Sequence, residues 1–173
     1  MKAVPPLKMD AIADEASRWI TAGDLSRALT VVDPILKSKC PFPKLDRLGK
    51  CLGNRVQNSK QLIAYFDRIV ATDAMGGFVI VGQGLACLIE RDLPLAIQKA
   101  REYILSGDEW YVCVIIGERV FGQALVYCFD ETLPWLEKLL SDENPWIRRS
   151  AVTTILLFSK RVKTQPHMTT RLC

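Results

Sequence analysis

The feature that most constrains this fold is a helical apolar period that restarts at regular intervals. One clear stretch contains Leu62, Ile63, Phe66, Ile69 and Val70. Spacings of three and four are the pattern of one buried helix face. Helix-capping residues precede such stretches at Asp24, Asn58 and Asp92, which lie 34 residues apart, and at Thr132, which follows 40 residues later. The chain is therefore predicted to consist of helices that start at similar intervals along the sequence.

Further helix starts are predicted between these points, near Met75, Glu109 and Asn144. Two helices per repeat of this length, with little identity between repeats, are typical of HEAT-like or armadillo-like solenoids. The sequence therefore predicts an all-α fold in which antiparallel helix pairs stack into a right-handed α-α superhelix. Residues 1–163 form its single domain and 164–173 a polar C-terminal tail. An irregular helical bundle remains the alternative.

Two segments are apolar on nearly every side and are predicted to be inner helices. They are "FVIVGQGLACLI", from residue 78, and "WYVCVIIGERVFGQALVYC", from residue 110. The glycines expected to allow close helix approach are Gly76, Gly77, Gly82, Gly84, Gly117 and Gly122. The first segment is too short to span a bilayer. A nucleotide-binding glycine turn is the alternative for it, but Cys87 occupies the place of the third glycine.

Two local features are predicted for particular helices. Pro34 is expected to kink or break the second helix. The last helix is expected to bury a stripe formed by Ile147, Ala151, Ile155, Phe158 and Val162.

Cysteine and histidine content excludes several classes of site. The six cysteines contain no C-x-x-C pair, which favours free thiols in a reducing cytosol over disulfides or a structural zinc site. The only histidine, His167, lies in the polar tail, which argues against Ser-His-Asp and Cys-His catalysis. The chain also begins without the apolar core of a secretory signal. We therefore expect a cytoplasmic protein without a metal.

The charge is unevenly distributed, although the net formal charge is only +4. After Glu143 the chain has no acid, and its basic residues are Arg148, Arg149, Lys160, Arg161, Lys163 and Arg171. A second basic block runs over residues 37–68, with eight basic residues against Asp46 and Asp67. Two such basic patches are typical of a protein that binds a polyanion. The alternative is that the basic side chains lie on an ordinary solvated surface and pair with acids such as Asp142 and Glu143.

The last predicted helix begins "NPWIRRSAV", with Arg148 and Arg149 in its first turn. The helix dipole disfavours cations at that end. Residues placed against this preference usually have an external partner. Along the same helix one stripe contains Arg149, Thr153, Leu156, Lys160 and Lys163, with its charges at the two ends.

Three stretches carry a resemblance to a known family: "DEWYVCVIIGERVFGQAL", "LPWLEKLLSDENPWIRRSAV" and "SKR". Together they resemble the DNA alkylation repair family of HEAT-like-repeat (AlkD-like) glycosylases, over residues 62–163. The resemblance implies a positively charged solenoid that grips double-stranded DNA by its backbone and releases N3- or N7-alkylated purines. It implies no metal and no organic cofactor, and a nucleoid-associated protein if the source is bacterial.

The resemblance also implies roles for particular residues. Trp110 corresponds to a cleft tryptophan, and the family's catalytic aspartate is expected one helical turn later, where this chain has Val114. Glu118, a further turn along, is the acid that could substitute for it. Arg148 or Arg149 would hold DNA phosphate, helped by the free N–H groups of the helix start. We therefore expect DNA binding with weak or no base excision.

Three functional hypotheses remain open from the sequence: an active alkylpurine glycosylase, a non-catalytic DNA-binding relative, and a HEAT-like scaffold that binds another protein. Family members continue beyond the last helix of this chain with further repeats. The chain is then either a shortened or diverged member, or it self-associates through its open C-terminal end. No membrane partner is expected.

Overall fold

The computed structural model describes residues 9–164, and side chains as far as residue 160. Within this range the chain is helical and contains no strand, which confirms the all-α prediction. The helices are α1 (Met9–Thr21), α2 (Leu25–Leu36), α3 (Phe42–Arg55), α4 (Ser59–Val70), α5 (Met75–Ala86), α6 (Leu93–Gly107), α7 (Trp110–Ile116), α8 (Gly122–Tyr127), α9 (Phe129–Leu140) and α10 (Pro145–Thr164). A π-helical segment, Gly117–Phe121, joins α7 to α8.

The helices form two compact units, which divide between Cys87 and Leu88. Predicted capping residues begin helices in both. Asp24 accepts a hydrogen bond from the Arg27 N–H (2.9 Å) and Asn58 accepts one from the Lys60 N–H (3.0 Å). Asp92 accepts one from the Leu95 N–H (3.1 Å). These three predicted starts are confirmed, because an Asp or Asn side chain satisfies an amide that the first turn leaves unpaired.

In the first unit, helices pack on the next-but-one helix of the chain: α1 on α3, α2 on α4, and α3 on α5. The contact of α3 with α5 depends on glycine. A Cβ on Gly49 would lie 2.2 Å from the Ile80 carbonyl oxygen, and one on Gly53 would lie 2.7 Å from the Gly84 oxygen. Helix α5 is buried over most of its surface, as the sequence predicted for an inner helix.

In the second unit, α10 packs against α7, α8, α9 and the π-helical segment. The carbonyl oxygen of Gly117 accepts the Gly122 N–H, and also the Thr154 hydroxyl at 3.2 Å. A Cβ on Gly117 would lie 3.0 Å from the Ser150 carbonyl oxygen. The wider turn is therefore held in place by α10, through a hydroxyl that is itself buried.

Three side-chain hydrogen bonds between helices join residues that are 37 to 41 positions apart in the chain. Tyr65 donates its hydroxyl to the Ala28 carbonyl, 37 residues away, in the first unit. Trp146 donates to Asp108, 38 residues away, and Arg101 to Asp142, 41 residues away, in the second. Each unit therefore has an internal spacing close to the predicted repeat length.

Two local predictions are wrong, and of the kink or break predicted at Pro34 the break is absent. Helix α9 begins at Phe129 rather than at Thr132, which is buried inside it. Acids in its first turn favour the earlier start, since they complement the positive end of the helix dipole. Pro34 does not break α2, which continues to Leu36. The buried face of α10 includes Ser150 and Thr154, whereas Ile155 is exposed.

No helix within the described residues is both long enough and apolar enough to cross a membrane.

Candidate nucleic-acid interface

The residue that ends α6 is joined to the first turn of α10 by a hydrogen bond. Asp108 caps the end of α6 in a left-handed conformation, with φ of 43°. Its carboxylate accepts the indole N–H of Trp146, in the first turn of α10, at 3.1 Å. Helix α7 begins two residues later at Trp110. The predicted cleft tryptophan and the predicted phosphate-binding helix start are therefore neighbours.

Trp110 is the most exposed aromatic side chain at this point, with 54% of its surface accessible. Its ring meets that of Tyr111 edge to face, with centroids 6.0 Å apart. Its carbonyl oxygen accepts the Cys113 thiol at 3.0 Å. The backbone of Trp110 is thus fixed while a large apolar ring faces solvent, an arrangement that suits stacking on a partner.

Arg148 and Arg149 have different environments although they are adjacent. Arg148 turns back on its own loop, where Nη1 donates to the carbonyl oxygens of Asp142 (2.7 Å) and Glu143 (2.9 Å). Arg149 is exposed, with its guanidinium 6.0 Å from the centroid of the Trp146 ring. The external partner inferred from the sequence is therefore needed only for Arg149.

The amide groups at the start of α10 are already occupied. The Asn144 side chain accepts the N–H of Trp146 at 2.9 Å and that of Ile147 at 3.2 Å. The expectation that free N–H groups here receive a phosphate is wrong for these two residues. An anion at this point would be held by the guanidinium of Arg149.

The buried thiol of Cys113 gives further evidence on the position of Arg149. Burial raises the pKa of Cys113, and the positive charge of Arg149 opposes that rise. Arg149 is therefore close enough to α7 for its field to reach the helix that carries Trp110.

Of the two residues expected to perform chemistry, one has no charge and the other is ion-paired. Val114 is half-buried on α7 and has no charge. Glu118 lies in the π-helical segment, with Oε2 3.6 Å from Nη1 of Arg119. The expectation that Glu118 lies on the same face as Trp110 stays a prediction.

Beyond its first turn, the exposed side of α10 is basic at both ends and apolar between them. Arg149 and Lys160 are exposed, and the predicted Lys163 lies outside the described side chains. Between them Val152, Ile155 and Leu156 expose 59%, 42% and 54% of their surface. This face combines cations with unpartnered apolar groups.

Three of the eight basic residues in the second basic block, over residues 37–68, form ion pairs with acids. Arg47 forms a two-point ion pair with Asp10, and Arg55 Nε lies 2.6 Å from Asp14. Lys37 Nζ lies 2.7 Å from Asp33. The hydrogen bond from Arg47 holds the pKa of Asp10 below its usual value. This block is therefore a weaker candidate for a polyanion than α10.

Within the described residues, no group of three or more His, Cys, Asp or Glu side chains could hold a metal ion. The described cysteines, Cys40, Cys51, Cys87, Cys113 and Cys128, are free thiols. Comparisons with protein-family models, with curated proteins and with solved structures found no match to this chain.

Proposed function

We propose that this chain is a DNA-binding helical-repeat protein, related to the alkylpurine DNA glycosylases of DNA alkylation repair, that has weak or no base-excision activity. The proposed architecture is the right-handed superhelix of helix pairs. The observation that supports this function most is the exposure of Trp110 and Arg149 on neighbouring helix starts.

The proposed contacts are made mainly to the DNA backbone. Arg149 and Lys160 are exposed on a helix that contains no acid. Guanidinium and ammonium groups bind phosphate oxygens without reading the base sequence. Trp110 would add stacking against a sugar or base beside the phosphate bound by Arg149, since an exposed indole presents a large π face.

The proposed loss of excision follows from the surroundings of Trp110. Valine at position 114 cannot stabilise the positive sugar that develops as a glycosidic bond breaks. Glu118 is paired with Arg119 and lies in a turn of different geometry. Removing one well-placed electrostatic group typically costs about 100- to 1,000-fold in rate.

A charge-reversal experiment tests the DNA contact. Arg149→Glu should weaken binding to a short duplex by about tenfold or more at low salt, because one phosphate contact becomes a repulsion. Lys39→Glu is the matched control, since Lys39 is exposed, lies in the first unit and gives the same change in charge. Equal effects of the two changes, or no duplex binding by the native protein, would contradict the proposal.

A second candidate function, protein association, is favoured by the apolar surface of α10. Val152, Ile155 and Leu156 are exposed at helical spacing on one helix. If this C-terminal face joins two copies, the sedimenting mass should rise with concentration. Leu156→Asp should then keep the protein monomeric, and an unchanged mass distribution would exclude self-association through this face.

A further inference from the structure

A groove in the first unit lies beside the ends of α1 and α3. Its volume is about 860 Å³. The residues that line it are Asp14, Ser17, Arg18, Thr21, Ala22 and Arg55. They include two guanidinium groups, two hydroxyls and one carboxylate. The lining of the groove is therefore mostly polar and charged.

Ser17 is the least expected residue in this groove. Its side chain is 7% exposed, and its hydroxyl has no hydrogen-bond partner. A buried polar group without a partner lowers the stability of the folded state. Alanine at this position would avoid that cost in a helix. A hydroxyl kept at such a cost is explained by a partner that binds from outside the chain.

The two arginines of the groove supply an excess of positive charge. Arg55 donates to Asp14, with Nε 2.6 Å from Oδ1, which neutralises one of them. Arg18 is exposed and has no ion-pair partner among the described residues. Its place in the last turn of α1 is favourable for the helix dipole. The dipole does not explain the unpartnered hydroxyl of the residue before it.

We propose that this groove binds the phosphate group of a small phosphorylated molecule. Arg18 and Arg55 would donate to the phosphate oxygens. The Ser17 hydroxyl, which is closed off from solvent in the unbound chain, would donate to the same group after turning toward the groove. The groove is larger than a phosphate, so it also accommodates an organic part, whose hydroxyl or amino groups Asp14 can accept. This site is independent of the proposed DNA contact, which lies on α10.

Calorimetric titration of the full chain with inorganic phosphate tests the site directly. Ser17→Ala and Arg18→Gln should each weaken phosphate binding by about tenfold or more, since each removes a hydrogen bond to a charged group. Arg68→Gln is the matched control, because Arg68 is an exposed arginine of the same unit outside the groove. The control should bind phosphate as the native protein does.

Thermal unfolding with and without phosphate is a second test of the site. Without phosphate, Ser17→Ala should melt at a higher temperature than the native protein, because it removes the unpartnered hydroxyl. With phosphate that advantage should shrink. The proposal is overturned if the native protein does not bind phosphate, if both groove variants bind it normally, or if Ser17→Ala is less stable than the native protein.

Duplex DNA is the second titrant and separates a small phosphorylated molecule from a DNA backbone. Arg18→Gln should change DNA affinity by no more than about twofold, because Arg18 is not among the residues proposed to contact DNA and shares no partner with them. A large loss of DNA affinity in this variant would assign the groove to DNA and overturn the proposal. Arg149→Glu tests the DNA contact separately, so the two proposals can fail independently.

Discussion

Gly49→Ala should destabilise the protein although alanine is the better helix former. Gly49 is buried in α3 and faces the backbone of α5. A Cβ at this position would lie 2.2 Å from the Ile80 carbonyl oxygen and 3.0 Å from its carbon. Favourable carbon–oxygen contacts begin at about 3.3 Å. The two helices would have to separate by about 1 Å, because a backbone carbonyl cannot rotate away as a side chain can.

The expected magnitude follows from two opposing effects. Overpacking a core costs about 1–3 kcal/mol, and a backbone neighbour places this site at the upper end of the range. Replacing glycine by alanine inside a helix stabilises the folded state by about 1 kcal/mol, because alanine has the higher helix propensity. The net loss in the free energy of unfolding is therefore about 2 kcal/mol. For a chain of this size, that loss lowers Tm by about 4–8 °C.

Gly122→Ala is the matched control for this prediction. Gly122 is also buried and helical, but an added Cβ would meet only the Gly117 carbonyl oxygen, at 3.5 Å. The change should therefore raise Tm by about 2–4 °C, since the propensity gain of about 1 kcal/mol is not opposed. Thermal unfolding followed by circular dichroism measures both variants. A Gly49→Ala protein as stable as Gly122→Ala would refute the close packing of α3 on α5.

Three further predictions follow from the second unit. Trp146→Phe should lower the free energy of urea unfolding by about 1 kcal/mol, since the hydrogen bond to Asp108 is lost; an unchanged value would contradict a structural role for that bond. The hydrogen bond from Arg101 lowers the pKa of Asp142, so this pair should stabilise the fold above about pH 4 and lose its effect as pH falls through the lowered pKa. Asp142→Asn should flatten the acid limb of a stability–pH curve, and an unchanged limb would argue against the pair. Val114→Asp should raise release of N7-methylguanine above the uncatalysed rate in a single-turnover assay, and Trp110→Ala in that variant should abolish the gain.

The parts of the fold that the sequence predicts correctly depend on local chemistry. Asp24, Asn58 and Asp92 accept hydrogen bonds from amides two or three residues away. Their role as helix caps can therefore be predicted from the adjacent sequence. The same rule fails at Thr132, because a capping residue type also occurs inside helices. Helix α3 was not predicted, although Leu45, Leu48 and Leu52 are buried there at the helical spacing of three and four. Gly49 and Gly53 lie between these leucines and pack closely on α5, which interrupts the apolar pattern.

The candidate site was harder to predict because its determinants come from distant parts of the chain. The ion pair of Arg47 with Asp10 joins residues 37 apart, so the second basic block appeared uncompensated in sequence. The π turn that contains Glu118 is held by Ser150 and Thr154 of another helix, so the residues around Glu118 in the sequence do not predict it. The separate environments of Arg148 and Arg149 depend on the path of the loop before α10.

The salt dependence of duplex binding tests the central proposal most directly. If Arg149, Lys160 and Lys163 each contact a phosphate, a plot of log Kobs against log salt concentration should have a slope of about −3, because each contact contributes about −0.9. Arg149→Glu should make that slope shallower by about one, and changing the base sequence of the duplex should leave it unaltered. A native protein that does not bind duplex DNA at low salt, or whose affinity does not change with salt, would contradict the account.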